Sequence, residues 1–152
     1  MSDKLQKFVE SFNWVKATDV PWAAFGRNLA ESTVAVVSTG GVYARGDRPF
    51  AIETREDVDE SYREIPIDTP MEDLQLGHEH YNKDYARRDI NVVFPVERLA
   101  DLARQGFIGR AADYNYSITG YIPEPRELYR TGALMAARLK EIEADCVLLT
   151  PV

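Results

Sequence analysis

The chain is 152 residues long, 45% hydrophobic and 28% charged, the composition of one soluble globular domain with enough apolar side chains to build a core. Its net charge of -7 argues against holding a nucleic-acid backbone through basic patches, and its single cysteine excludes an intrachain disulfide or a cysteine-rich zinc site. The longest aliphatic runs, residues 34–37 and 147–149, are strand-sized rather than membrane-sized. The start Met1-Ser2-Asp3-Lys4-Leu5 has no basic flank followed by an apolar block, so the expected location is cytoplasmic, with neither membrane nor nucleic acid as partner.

Leu5, Phe8, Val9 and Phe12 recur at helical spacing behind a Ser2 cap and before Pro21, which predicts a helical segment within residues 1–30. Residues 31–152 then read as one α/β domain. Thr33-Val34-Ala35-Val36-Val37-Ser38, closed by Gly40-Gly41, has the continuous β-branched character of a strand buried on both faces of a parallel sheet. A polar stretch with turn signals at Gly46-Asp47 and Pro49 follows. Residues 53–73 carry nine acids against Arg55 and Arg63, which accounts for the whole net charge; this reads as a solvated acidic segment or as an acidic docking surface. Within it, Tyr62-Arg63-Glu64-Ile65 before Pro66 is a short strand candidate.

Val92-Val93-Phe94 precedes Pro95, and Val96, Leu99, Ala100 and Ala103 then keep helical spacing up to a Gly106 stop. A second helix opens at Pro125, with Leu128, Gly132, Met135, Leu139 and Ile142 along one face for about five turns. Cys146-Val147-Leu148-Leu149-Thr150 is another apolar strand. The alternation predicts a mostly parallel open sheet flanked by helices. A strand of this kind is normally followed by a loop and a covering helix, so the fold is expected to be incomplete at its C-terminus, or the last element is an edge strand.

Four groups of residues bear on chemistry. Ser38-Thr39-Gly40-Gly41 is either an ordinary strand-to-loop turn or a cradle of backbone amides for an anion. His78 and His80 share one face of an extended segment, with Asp84 as a third donor; this admits a metal site, or histidines in a polar pocket wall. Six of the eight tyrosines fall between Tyr81 and Tyr129, including Tyr114-Asn115-Tyr116-Ser117, and suit core, subunit contact or pocket. Cys146, opening an apolar strand, reads as a small core residue.

Several segments, in order, resemble the selenoprotein B family of glycine, sarcosine, betaine and D-proline reductases. They are Glu31-Ser32 running through the first strand to Gly41, Tyr62-Arg63-Glu64-Ile65-Pro66, His78 to Asp84 running into Asp89-Ile90-Asn91-Val92-Val93-Phe94-Pro95, Gly106-Phe107-Ile108-Gly109, Tyr116-Ser117-Ile118-Thr119-Gly120-Tyr121, and Val147-Leu148-Leu149-Thr150-Pro151-Val152. The resemblance implies that Thr150-Pro151-Val152 leads into a selenocysteine, or a cysteine, with a further cysteine a few residues on. The chain then looks truncated at a UGA codon, and no catalytic residue lies within it.

The implied activity is reductive cleavage of a carbon–nitrogen bond in a small amino acid or amine. Electrons would come from a dithiol donor, with a partner reductase subunit that in some members carries a pyruvoyl group, in a homo- or hetero-oligomer. The resemblance puts Thr39, Gly40, Gly41, His78, His80, Tyr116, Ser117 and Thr150 around the reactive position. Two other functions fit the residues: a non-catalytic domain binding a small molecule or a subunit, and a metal-dependent hydrolase using His78, His80 and Asp84.

Overall fold

The structure is a computed structural model describing residues 3–11, 23–54, 56–78 and 81–152. The predicted Ser2 cap, Phe12, Pro21 and His80 lie outside the described residues. The N-terminal helix is present as α1 (Asp3–Ser11). In chain order there follow β1 (Thr33–Ser38), β2 (Val42–Ala44), β3 (Arg63–Pro66), β4 (Leu74–Leu76), α2 (Asp84–Arg88), α3 (Val96–Arg104), β5 (Arg110–Ala111), β6 (Tyr114–Ser117), α4 (Leu128–Glu141) and β7 (Cys146–Thr150).

β1 is the centre of a five-stranded sheet. β7 lies parallel along one edge of it, in register from Val34 opposite Cys146 to Ser38 opposite Thr150. The other edge is shared by two short parallel strands, β5 beside the start of β1 and β6 beside its end. β3 closes the far side antiparallel to β6, so the sheet is mixed but mostly parallel. β2 and β4 pair antiparallel in a small second sheet.

The unbroken apolar run of β1 follows from its two covered faces, since alternate side chains of a strand point to opposite sides. Val34 and Val36 enter a core with Val93, Phe94, Val96, Leu99 and Ile108, while Val37 enters a second core with Tyr116, Ile118 and Met135. α3 supplies the first layer and α4 the second. The inner face of α4 is Leu128, Thr131, Met135 and Leu139, followed by Ile142. Gly132, expected on that face, has no atoms within 4 Å of where a Cβ would stand. Thr131 is buried instead, its hydroxyl donating to the Glu60 carbonyl at 2.7 Å.

β7 is half-buried at its start and open further on, with Leu148 42% and Leu149 68% exposed. Among the described residues it pairs with β1 alone. Two acids of the 53–73 segment stitch loops: Asp57 accepts from the Glu53 and Thr54 amides at 2.9 and 2.6 Å, and Asp59 accepts from those of Ala51 and Ser61 at 2.8 and 2.9 Å. Among the described residues no helix is long and apolar enough to cross a membrane.

Candidate functional site

In an open parallel sheet ligands bind outside the carboxyl ends of the strands, where the loops leave room. Here that end is built from the four residues that close β1. The buried Ser38 hydroxyl donates to the Val93 carbonyl at 2.6 Å and accepts from the Gly40 amide at 2.9 Å, tying the turn to the layer above α3. The Thr39 amide donates to the Thr150 carbonyl at 3.1 Å. The Gly41 amide donates to the Ile118 carbonyl at 2.9 Å. All three amides of Thr39, Gly40 and Gly41 are therefore spent inside the fold, and the turn is not an anion cradle.

Around this turn stand side chains from three other segments. Tyr81 donates its hydroxyl to the Gly40 carbonyl at 3.0 Å and meets the His78 ring edge-on, centroids 5.4 Å apart. His78 is 2% exposed. The Gly77 amide donates to the Gly41 carbonyl at 2.8 Å, which brings the histidine segment against the turn. Ser117, fully buried, accepts from the Val42 amide at 2.8 Å. Gly120 fits between the two sides: a Cβ there would lie 3.2 Å from His78 Nε2 and 3.2 Å from Thr39 Cβ. The last strand arrives at the same place, with the Val152 amide donating to Thr39 Oγ1 at 2.9 Å and with Thr150 Oγ1 buried and lacking a hydrogen-bond partner.

Thr39, Gly40, Gly41, His78, Ser117 and Thr150 are thus gathered at one sheet end. Tyr116, one residue before Ser117, faces the α4 core, where it packs on Tyr62 with ring centroids 5.9 Å apart. Burial, with the Glu64 carboxylate beside it, pushes its phenol far above the usual 10.0, so it stays protonated. Asp84 opens α2 with its side chain 66% exposed and 3.7 Å from Arg87. Among the described residues no three donors could hold a metal ion together. Cys146 sits at the other end of β7, opposite Val34, and burial followed by the Asp145 charge raises its thiol above 9.0. Tyr81, from the tyrosine-rich stretch suited to core, subunit contact or pocket, and Gly120 also join the site. The only signal for Gly120 is its membership of the Tyr116 block.

A separate cleft of about 520 Å³ lies between β4, α2 and the Ile90–Val92 turn, lined by Arg88, Asp89, Asn91 and Glu97 over apolar Met71 and Leu76. It shares no residue with the sheet end.

The profile of the glycine/sarcosine/betaine reductase selenoprotein B family matches residues 3–152. The chain belongs to this selenoprotein B family. It is 33% identical over 153 residues to the D-proline reductase subunit gamma of Acetoanaerobium sticklandii, covering 99% of the chain and 62% of that protein. To the glycine reductase complex component B subunit gamma of Carboxydothermus hydrogenoformans it is 29% identical, covering 88% of the chain and 33% of the relative. The betaine reductase complex component B subunit beta of Peptoclostridium acidaminophilum is 29% identical over 140 residues, covering 89% of the chain and 31% of the relative. The chain thus spans less than two thirds of each of these selenoprotein B relatives. No solved structure matches it.

Proposed function

We propose that the chain is part of a B-type reductase component that reductively cleaves a carbon–nitrogen bond of a small amino acid or amine, with the reactive selenocysteine or cysteine directly after Val152. The observation that carries this reading is the Val152 amide bonded to Thr39 at the carboxyl end of the parallel sheet, the end at which His78, Tyr81 and Gly120 also gather. Residues on three segments converge there, which is the usual setting for a ligand in an open α/β sheet.

In the proposed reaction the deprotonated chalcogen attacks carbon, and the nitrogen leaves with the electron pair of the broken bond and takes a proton. A dithiol then supplies two electrons and two protons. The carbon gains hydrogen, the chalcogen is released, and the dithiol closes to a disulfide. A selenol is largely ionised at neutral pH. The relatives are named as subunits or components of reductase complexes, which supports a partner subunit for this chain. A pyruvoyl group on that partner would hold the substrate's amine.

Reading the gene past the Val152 codon tests the proposal. An in-frame UGA or cysteine codon with a second cysteine codon close behind is the expected result; a different stop codon at that position overturns it. The second reading, a small-molecule-binding domain without turnover, is favoured by the 520 Å³ cleft, which is of ordinary ligand size. Ligand-induced stabilisation that Asn91→Ala abolishes would support it.

A further inference from the structure

We propose that Arg63 is a positioning residue for His78, acting through Phe50 and Gly77. Its part in turnover rests on the reductase reading, whereas its mechanics rest on packing. Arg63 opens β3 with its side chain only 10% exposed, and a covered guanidinium must place all of its N–H donors. Nε donates to the Arg48 carbonyl at 2.7 Å and Nη2 to the Pro49 carbonyl at 3.0 Å. Nη1 donates to Ser61 Oγ at 2.8 Å and to the Tyr62 carbonyl at 2.9 Å. Asp59 Oδ2, 3.7 Å from Nη2, supplies the counter-charge. These partners lie on the two limbs of the connection from β2 to β3, residues 48–50 and 59–62, so the flat cation is the template on which the limbs meet.

The two carbonyls gripped on the first limb stand immediately before Phe50. The same guanidinium lies over the Phe50 ring, 4.0 Å from its centroid, a contact that a planar cation makes well. The ring is 5% exposed and meets Tyr43 edge-on, centroids 6.3 Å apart. Both rings close on Gly77, where a Cβ would stand 3.1 Å from Phe50 Cδ2 and 3.2 Å from Tyr43 Cε1. On its other side the Gly77 amide donates to the Gly41 carbonyl at 2.8 Å, and a Cβ at Gly41 would meet that of His78 at 2.8 Å. The main chain that carries His78 is therefore wedged between the two rings and the end of β1. In packing this close a shift of the Phe50 ring is passed on to His78.

Arg63→Lys keeps the charge but puts it on a flexible stem with no plane to lie on Phe50. The NMR signature of His78, its Cβ and ring-nitrogen shifts, tests the link in the folded chain, with melting curves confirming that each variant folds. The signals are expected to move in Arg63→Lys and to hold in Met135→Ala, which loosens the α4 core instead. Phe50→Leu, which keeps apolar volume and loses the ring face, carries the same expectation if Arg63→Lys does not fold. In the assembled full-length complex, assayed on glycine, sarcosine, betaine and D-proline with dithiothreitol, Arg63→Lys is expected to lower turnover at least roughly tenfold, with KM within about twofold.

Unmoved His78 signals in the folded variant, or equal movement in Met135→Ala, overturn the positioning role. Moved signals with unchanged turnover overturn the part of His78 in the reaction. A wild-type complex that reduces none of these amines overturns the reductase reading instead, and the His78 signals still decide whether Arg63 sets the histidine.

Discussion

A side chain at Gly41 would set its Cβ 2.8 Å from the Cβ of His78, at a backbone φ of +65°. The histidine segment and the end of β1 are packed so closely that only hydrogen fits between them. Gly46 shares the left-handed backbone, at φ +94°, but has open space around it. Gly46→Ala is therefore expected to cost about 1 kcal/mol, the conformational penalty alone. Gly41→Ala adds overpacking and is expected to cost about 3 kcal/mol. Urea unfolding of the two variants checks this, and equal losses would show that His78 does not press on the turn.

Asp59 and Arg63 form a largely covered pair, with their side chains 9% and 10% exposed and 3.7 Å between Oδ2 and Nη2. Burial pushes the Asp59 carboxyl up, but the Ser61 hydroxyl, the Ala51 and Ser61 amides and the Arg63 charge outweigh it and hold it below the usual 3.8. A carboxyl depressed by folding adds stability above its unfolded value and loses it as pH falls through the folded one. Asp59→Asn should thus cost about 1–3 kcal/mol at pH 7. The gap to the wild type should narrow below about pH 4. Acid unfolding curves that stay parallel would contradict this assignment.

Cys146 is the chain's only thiol, and its ionisation is suppressed by burial and by Asp145. Alkylation of the folded chain at pH 7 to 8 is expected to be at least roughly tenfold slower than that of the urea-unfolded chain, and to accelerate only on the alkaline side of 9.0. Equal rates in the two states would make Cys146 a candidate nucleophile after all.

Leu149 is 68% exposed on the outer strand, beside the 42% exposed Leu148. An open strand edge carrying apolar side chains favours association. Sedimentation of the 152-residue chain is expected to show self-association that Leu149→Lys reduces, with the melting temperature nearly unchanged because the side chain lies outside the core. A chain that sediments as a monomer at high concentration would remove this surface from consideration.

Long, strongly patterned elements are readable from the sequence: β1 from its six-residue β-branched run, α3 from helical spacing between Pro95 and Gly106, α4 from helical spacing behind Pro125, and β7 from its apolar run. β2, β4 and β5 are not, being two or three residues long, too short for a period to show. β6 was hidden for another reason. Its Asn115 looks like a loop residue, yet it is fully buried because its side chain accepts from the Val36 amide at 2.8 Å and replaces a rung where β5 stops and β6 begins. A side chain standing in for backbone leaves no hydrophobic signature.

At the site, the chain's own residues limited the chemistry: a single cysteine, two histidines and a small-residue turn after the first strand. The family followed from ordered short segments spread over most of the chain. The fold decided which of those residues meet. Tyr116 and Ser117 are adjacent in sequence, but the two-residue period of a strand sends one to the α4 core and the other toward the second sheet. Thr39 and Val152 are 113 positions apart, and no local pattern links them. Only the parallel pairing of β1 with β7 puts the hydroxyl of one against the amide of the other, because register over a whole strand is fixed by core packing on both faces and not by either residue alone.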